Sequence, residues 1–160
     1  MGLSARIAIV TGGAGGIGAA ICRRLAADGL GVAVVDRDAA QAATVAAGLP
    51  GTGHVGLRAD VSDEPAADRV FDEVTSRLGA PAVLVTAAGI LMLRPDGSRN
   101  LVAETDAQEW SRTQDINATG TFYFCRAFAR RITAPLDGGR IVTVSSVAAQ
   151  LGGYRSSAAY

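Results

Sequence analysis

The chain has 160 residues, of which 49% are apolar and 19% charged, the size and balance of one globular domain able to bury its own core. Acidic and basic side chains number 15 each, so no net charge favours nucleic acid or an anionic membrane surface as a partner. The single histidine, His54, excludes a histidine-rich metal site, and no apolar run approaches the ~20 residues that span a bilayer.

Short β-branched runs alternate with longer amphipathic stretches along the chain. Arg6–Thr11 is a continuous apolar run, as expected of a parallel strand covered on both faces. Met1 leads into it within a few residues, which leaves no room for a signal peptide and predicts a cytoplasmic protein. A glycine loop follows, then a helix over Ile17–Asp28 closed by Gly29. Gly31–Val35 is the second strand, Ala39–Ala47 the second helix and Gly53–Ala59 a weaker third strand. Pro65 fits the first turn of a helix running to Leu78, where its missing N–H costs no bond. Ala82–Thr86 is the fourth strand, and Leu91–Thr105, with Pro95, Asp96, Gly97 and Asn100, reads as loop. One long helix is predicted over Asp106–Ile132, then a turn at Pro135–Gly139 and a fifth strand, Arg140–Ser145. This alternation predicts an α/β fold, a doubly wound parallel sheet of the Rossmann type, in a single domain over residues 1–160. Cys22 and Cys125 lie far apart within apolar helical patterns and read as small buried hydrophobes rather than a disulfide or a metal pair, and no metal site is expected.

Thr11–Gly18 reads TGGAGGIG between a strand and a helix, with Gly15 and Ile17 filling the loop around three key glycines. In such a loop Gly12 permits the tight turn, Gly16 lets backbone approach a pyrophosphate, and Gly18 lets the helix pack on the strand. The helix then offers unpaired N–H groups and a partial positive charge to phosphate. Asp36 ends the second strand 24 residues after Gly12, placed to accept hydrogen bonds from the adenosine ribose. Its charge would repel a 2′-phosphate, which favours NAD over NADP, while the adjacent Arg37 guanidinium would bind such a phosphate. A P-loop is excluded because the loop lacks that motif's lysine; all 15 basic residues of the chain are arginine.

With these motifs in place the whole chain strongly resembles the classical short-chain dehydrogenases/reductases. The spacing Gly12-x-x-x-Gly16-x-Gly18 is similar to that of the classical branch, and Asp60-Val61 resembles the family's adenine-contacting pair. Thr86-Ala87-Ala88-Gly89 stands where the family has Asn-Asn-Ala-Gly, so both strand-bracing asparagines are replaced while Ala88 and Gly89 still leave space for the cofactor. Asn117-Ala-Thr-Gly120 resembles the family's Asn-x-x-Gly, which implies an asparagine at a helix kink that supports a proton relay. Ser146 matches the catalytic serine. Tyr160, 14 residues on and preceded by two alanines, resembles the catalytic tyrosine better than Tyr154 does.

The resemblance implies interconversion of a secondary alcohol and a ketone with a nicotinamide cofactor, in the manner of 3-oxoacyl reductases and hydroxyacyl or steroid-type dehydrogenases. Tyr160 would exchange the proton, Ser146 hold the substrate oxygen and Asn117 support the proton path. It also implies a small-molecule alcohol or ketone as partner, no nucleic acid or membrane, and a homodimer or homotetramer through the Asp106–Ile132 helix, where Phe122, Phe124 and Phe128 serve either as interface or as core. The family's lysine, four residues beyond its tyrosine, and its later strands would fall after residue 160, so the fifth strand is expected as an exposed apolar edge and the chain by itself as inactive. The alternative function is a non-catalytic dinucleotide-binding module or partner subunit that has lost the lysine. A methyltransferase sharing the glycine loop is disfavoured by the Asn117, Ser146 and Tyr160 set.

Overall fold

The computed structural model describes residues 6–132 and 139–151. Five parallel strands form one sheet: β1 (Ile7–Thr11), β2 (Gly31–Asp36), β3 (His54–Arg58), β4 (Pro81–Thr86) and β5 (Arg140–Thr143), in spatial order β3-β2-β1-β4-β5. The helices between them are α1 (Gly16–Ala27), α2 (Ala39–Ala47) and α3 (Glu64–Arg77). After β4 come α4 (Ala107–Gln114), a π-helical turn (Asp115–Thr119), α5 (Gly120–Arg131) and, beyond β5, the short α6 (Ala148–Leu151). The order reverses between β1 and β4, so the two neighbouring crossovers leave the sheet on opposite sides and open a crevice past the strands' carboxyl ends.

Burial explains why the strands are apolar without alternation. Every residue of β1 is buried, because successive side chains enter two different cores. Ile7, Ile9, Ala33, Val35 and Leu84 meet α3 and α5 on one face; Val10, Val32, Val34 and Val85 meet Cys22, Ala26, Ala42 and Ala46 of α1 and α2 on the other. The first core centres on Phe71, whose ring lies 6.3 Å from that of Phe124 and 6.0 Å from that of Phe128. Phe124 and Phe128 are therefore core, not interface; only Phe122 of the three is exposed. Outside this aromatic layer Arg131 of α5 bridges Asp68 at 2.6 Å and Asp72 at 2.7 Å on α3, and Arg126 pairs with Glu64.

The one histidine has a structural role. His54 Nδ1 accepts from the N–H of the buried Val32 at 3.2 Å, and Nε2 lies 2.9 Å from the Pro50 carbonyl, a position that requires Nε2 to carry the proton. Cys22 donates to the Gly13 carbonyl at 3.8 Å, and burial pushes its thiol up to about 12. Cys125 is only half-buried, with its thiol also raised by burial, so the expectation of two buried cysteines holds fully for Cys22 alone.

Three stretches differ from the sequence reading. The predicted helix Asp106–Ile132 is interrupted by the π-helical turn, which inserts an extra residue per turn around Asn117. The predicted loop Leu91–Thr105 holds a single 3₁₀ turn at Val102–Glu104, tied down by an ion pair of 2.7 Å between Arg94 and Glu104. β5 ends at Thr143 rather than Ser145, although Val144 still donates to the Thr86 carbonyl at 2.9 Å. Most of the predicted turn Pro135–Gly139 lies outside the described residues. As expected, β5 is exposed along its length and, among the described strands, is paired on one side only.

The core makes two quantitative claims. Phe128→Ala should lower unfolding free energy by about 3–5 kcal/mol in urea titration, since it empties a ring-sized volume beside Phe71. Thr86 is 3% exposed and its hydroxyl has no hydrogen-bond partner among the described residues. Thr86→Val keeps the shape and removes a desolvated oxygen, so it should raise stability by about 1 kcal/mol; a loss would mean that the hydroxyl is bonded.

Candidate active site

The glycine loop is built around contacts that no side chain would permit. A Cβ on Gly18 would lie 2.1 Å from the Gly12 carbonyl oxygen, so α1 crosses the loop in backbone contact. Gly12 has φ +64°, and a Cβ on it would meet the backbone of Ala88 at 2.7 Å. Gly13, unremarked in the sequence, is as constrained: its Cβ would lie 2.9 Å from both the Val10 carbonyl and the Val34 side chain. Gly16 behaves in the opposite way. It is exposed, with nothing within 4 Å of its missing side chain, so the absence of a Cβ there serves no internal packing.

The helix start is left open as well. α2 and α4 are capped by the carboxylates of Asp38 and Asp106, whereas the capping position before α1 is Gly15, which has no side chain to offer. The first N–H groups of α1 thus face the crevice with the helix's positive end behind them.

Asp36 closes β2 beside this loop. Its Oδ2 accepts from the Ala14 N–H and its Oδ1 from the Asp38 N–H, both at 3.2 Å, so the carboxylate is aimed back at the glycine loop. Gly12, Asp36, Arg37, Asp60 and Val61 line one end of a cleft, together with residues the sequence reading did not single out: Ala59, Ile90, Arg112 and Ile116. Asp60 accepts from the Ser62 hydroxyl at 2.6 Å and from its N–H at 3.0 Å. The hydroxyl first and the N–H next hold the Asp60 carboxyl below the ordinary carboxylate range, with the charges of Arg37 and Arg112 adding to the effect.

Ala88, Gly89 and Ile90 line this end and also the next, so one cleft runs along the sheet's edge. The second end carries Ile17, Asn117, Ser145 and Ser146, with Gln114, Val144 and Ala149 as unforeseen neighbours. Thr11 ties β1 to the segment after β4: its hydroxyl accepts from Ala88 N–H at 3.3 Å, and its carbonyl accepts from Ala87 N–H at 3.1 Å.

Asn117 sits in the π-helical turn, and its side-chain amide forms a matched pair of bonds with one residue across the cleft. Oδ1 accepts from Ile90 N–H at 2.8 Å, and Nδ2 donates to the Ile90 carbonyl at 3.0 Å. This pair of hydrogen bonds fixes the segment after β4 against the helix. Ser146, half-buried, accepts from Ala148 N–H at 3.2 Å through Oγ; accepting leaves the hydroxyl's own proton to donate. Gly15, Gly16 and Gly18 shape the loop without forming the cleft wall in these two ends. Tyr160 and Tyr154 lie outside the described residues. The unforeseen wall residues were hidden because their signal is register: Arg112 and Ile116 are four residues apart and share one side of a helix whose π turn the sequence does not reveal.

The residues present fit a dinucleotide. Gly12, Ile17 in the first turn of α1, and the carboxylates of Asp36 and Asp60 line one continuous cleft, and the exposed Gly16 leaves open backbone beside it. A glycine-turned crevice at the strand-order reversal of a parallel sheet defines the Rossmann-type class of α/β proteins. Within that class the chain belongs to the short-chain dehydrogenase family, whose model matches residues 6–160. It is similar to D-threitol dehydrogenase of Mycolicibacterium smegmatis, with 38% identity over 149 residues that cover 92% of this chain and 55% of that protein. It is also similar to (3R)-3-hydroxyacyl-CoA dehydrogenase of Mus musculus, at 34% identity over 160 residues, covering 94% and 60%. Among solved structures, the short-chain dehydrogenase/reductase SDR:Glucose/ribitol dehydrogenase from Brucella melitensis superposes with a TM-score of 0.86 at 30% identity, over 99% of this chain and 62% of that one. The chain therefore spans little more than half the length of these relatives. Among the described residues no helix is long and apolar enough to cross a membrane.

Two glycine variants separate packing from ligand approach. Gly18→Ala should cost more than about 2 kcal/mol in thermal unfolding, because backbone must move to admit the Cβ, while Gly16→Ala should leave the unfolding curve within about 1 kcal/mol of the parent. Asp60 supplies a pH test. A carboxyl whose pKa falls on folding contributes stability above the ordinary carboxylate range and loses it as pH drops through the lowered value. Ser62→Ala should return the Asp60 titration toward the ordinary range, read by carboxyl-carbon NMR.

Proposed function

We propose that the protein is an NAD-dependent oxidoreductase that interconverts a secondary alcohol and a ketone. The observation that carries this reading is the single cleft that joins the Asp36 and Asp60 end to the Asn117 and Ser146 end through Ala88, Gly89 and Ile90. The adenosine half of the cofactor belongs beside Asp36 and Asp60, the pyrophosphate at the start of α1 by Gly16 and Ile17, and the nicotinamide half toward Ser146. When bound, the nicotinamide supplies or accepts the hydride.

The chain's own groups then handle the substrate oxygen. Ser146 donates its hydroxyl proton to that oxygen and stabilises charge developing on it, while its Oγ stays anchored by Ala148 N–H. Tyr160 exchanges the proton as general acid or base. Asn117 supports the path by holding Ile90, and with it the cleft wall, in place. Asp36, already positioned by Ala14 N–H, accepts from the ribose and disfavours a 2′-phosphate, hence NAD over NADP despite Arg37.

The relatives named for threitol, hydroxyacyl-CoA and 3β-hydroxysteroid substrates support a hydroxyl or keto substrate of small-molecule size. In the same reading the protein acts in the cytoplasm as a homodimer or homotetramer, with exposed Phe122 on α5 as an apolar contact. The family places a lysine beside its tyrosine, and these 160 residues contain no lysine. A phenol of pKa ~10 is only ~0.1% ionised at pH 7, and a cation ~4 Å away at an effective dielectric of ~20 shifts it by roughly three units. A cation beside the Tyr160 phenol is therefore what turnover at neutral pH depends on. The second reading is a dinucleotide-binding module without turnover.

The test uses the protein as its natural source makes it, with NADH fluorescence for binding and hydride transfer on a panel of secondary alcohols and ketones for activity. Tyr160→Phe and Ser146→Ala should each cut kcat by two or more orders of magnitude, about 3 kcal/mol, with NADH affinity retained. Asp36→Ala should shift the NAD over NADP preference toward NADP by on the order of tenfold. Retained turnover in Tyr160→Phe rules out its assigned role, and binding without turnover on any substrate selects the second reading.

A further inference from the structure

The adenosine end of the cleft has a feature that neither the glycine loop nor the two carboxylates require. Its walls include the apolar side chains of Val61, Ile90 and Ile116, a lining suited to a flat uncharged ring rather than to phosphate. At the same end stands Arg112, exposed, on the last turn of α4 and four residues before Ile116, so that both side chains leave the helix toward the cleft. Its charge reaches the Asp60 carboxylate from this side, as that of Arg37 does from the end of β2. A guanidinium is planar and weakly hydrated, and it covers an aromatic face in a way that an ammonium does not.

We propose that Arg112 forms the outer wall of the base-binding end, its guanidinium plane stacking on the adenine ring of the dinucleotide and setting affinity for the adenosine half. The inference rests on the dinucleotide reading above. The ring enters between the apolar walls, and Arg112 covers the face that would otherwise remain in water. The Asp60 carboxylate attracts the guanidinium toward the cleft, and the Ser62 hydroxyl and N–H orient that carboxylate. Arg112 is thus a positioning and affinity residue, without contact to the reacting atoms.

The experiment measures dissociation constants by calorimetry for NADH, ADP-ribose and reduced nicotinamide mononucleotide, the last of which has a phosphate but no adenine. The proteins are the natural form, Arg112→Met and Arg112→Lys, at 0.15 M and 0.5 M salt. Arg112→Met should weaken NADH and ADP-ribose about three- to fivefold and leave the mononucleotide unchanged. Arg112→Lys, which keeps charge and length without the plane, should recover less than half of that loss, and the loss should persist at high salt because no ion pair with the ligand carries it. Unchanged ADP-ribose affinity in both variants, with the natural protein binding normally, overturns the role of Arg112 and leaves the dinucleotide reading intact. Equal weakening of the mononucleotide overturns it as well, since the residue would then act through phosphate or through the fold. Failure of the natural protein to bind NADH and ADP-ribose overturns both. Arg112 is exposed and outside both cores, so Arg112→Met should keep the parent's melting curve; if it does not, Arg112→Lys carries the comparison.

Discussion

Three stretches of backbone meet at Gly12 with no room for a side chain between them. The turn out of β1, the first turn of α1 and the segment leaving β4 converge there, and a Cβ on Gly12 or Gly18 would stand 2.7 Å or 2.1 Å from main-chain atoms of the others. This closeness lets α1 start almost at the end of β1, with Ala19 N–H already bonded to the Gly15 carbonyl. It also keeps the segment after β4 low, so the carboxyl edge of the sheet stays concave instead of being filled by side chains. The position of Asp36 depends on the same turn, because the Ala14 N–H that orients its carboxylate belongs to the loop.

The opposite wall is set by a different device. An uninterrupted α-helix from Asp106 onward would need one face to serve both the cleft and the aromatic core. The π-helical turn at Asp115–Thr119 changes the phase between the two halves. α4 and the turn then present Arg112, Ile116 and Asn117 to the cleft, while α5 presents Phe124 and Phe128 to Phe71. The hydroxyls of Thr113 and Thr121 bond back to the carbonyls of Glu109 and Asn117, so donors within the helix serve carbonyls around the irregular turn. Asn117 then ties that turn to Ile90, and the two walls of the cleft are held at a fixed separation by one side-chain amide.

Sequence reasoning reached the sheet and the acidic end of the cleft because their signals are local. The unbroken apolar run Ile7–Thr11, closed by glycines, suits a strand buried on both faces, and Gly12, Gly18 and Asp36 are fixed by spacing along the chain. The π turn was not legible: Asn117 and Gly120 mark a poor helix interior, but composition does not tell a kink from an extra residue. Nor was the exposure of the three phenylalanines, since Phe122, Phe124 and Phe128 are separated by how α5 is rotated against α3, a tertiary fact. Gly13 and Thr11 escaped notice for a similar reason, as their partners Val34 and Ala88 lie in other elements. Arg112 looked like one charge among 15, and only the fold brings it beside Asp60.

The central claim is that the glycine turn, Asp36, Asp60 and the Gly89–Ile90 wall act together as one dinucleotide site. Amide hydrogen exchange of the natural protein with and without saturating NADH tests it most directly. Bound NADH should slow exchange in four segments distant in sequence, Gly12–Gly18, Asp36–Asp38, Asp60–Ser62 and Gly89–Ile90, with no change along the α3 and α5 core. No change in those segments at a concentration of NADH that binds, or protection confined to another surface, would contradict it.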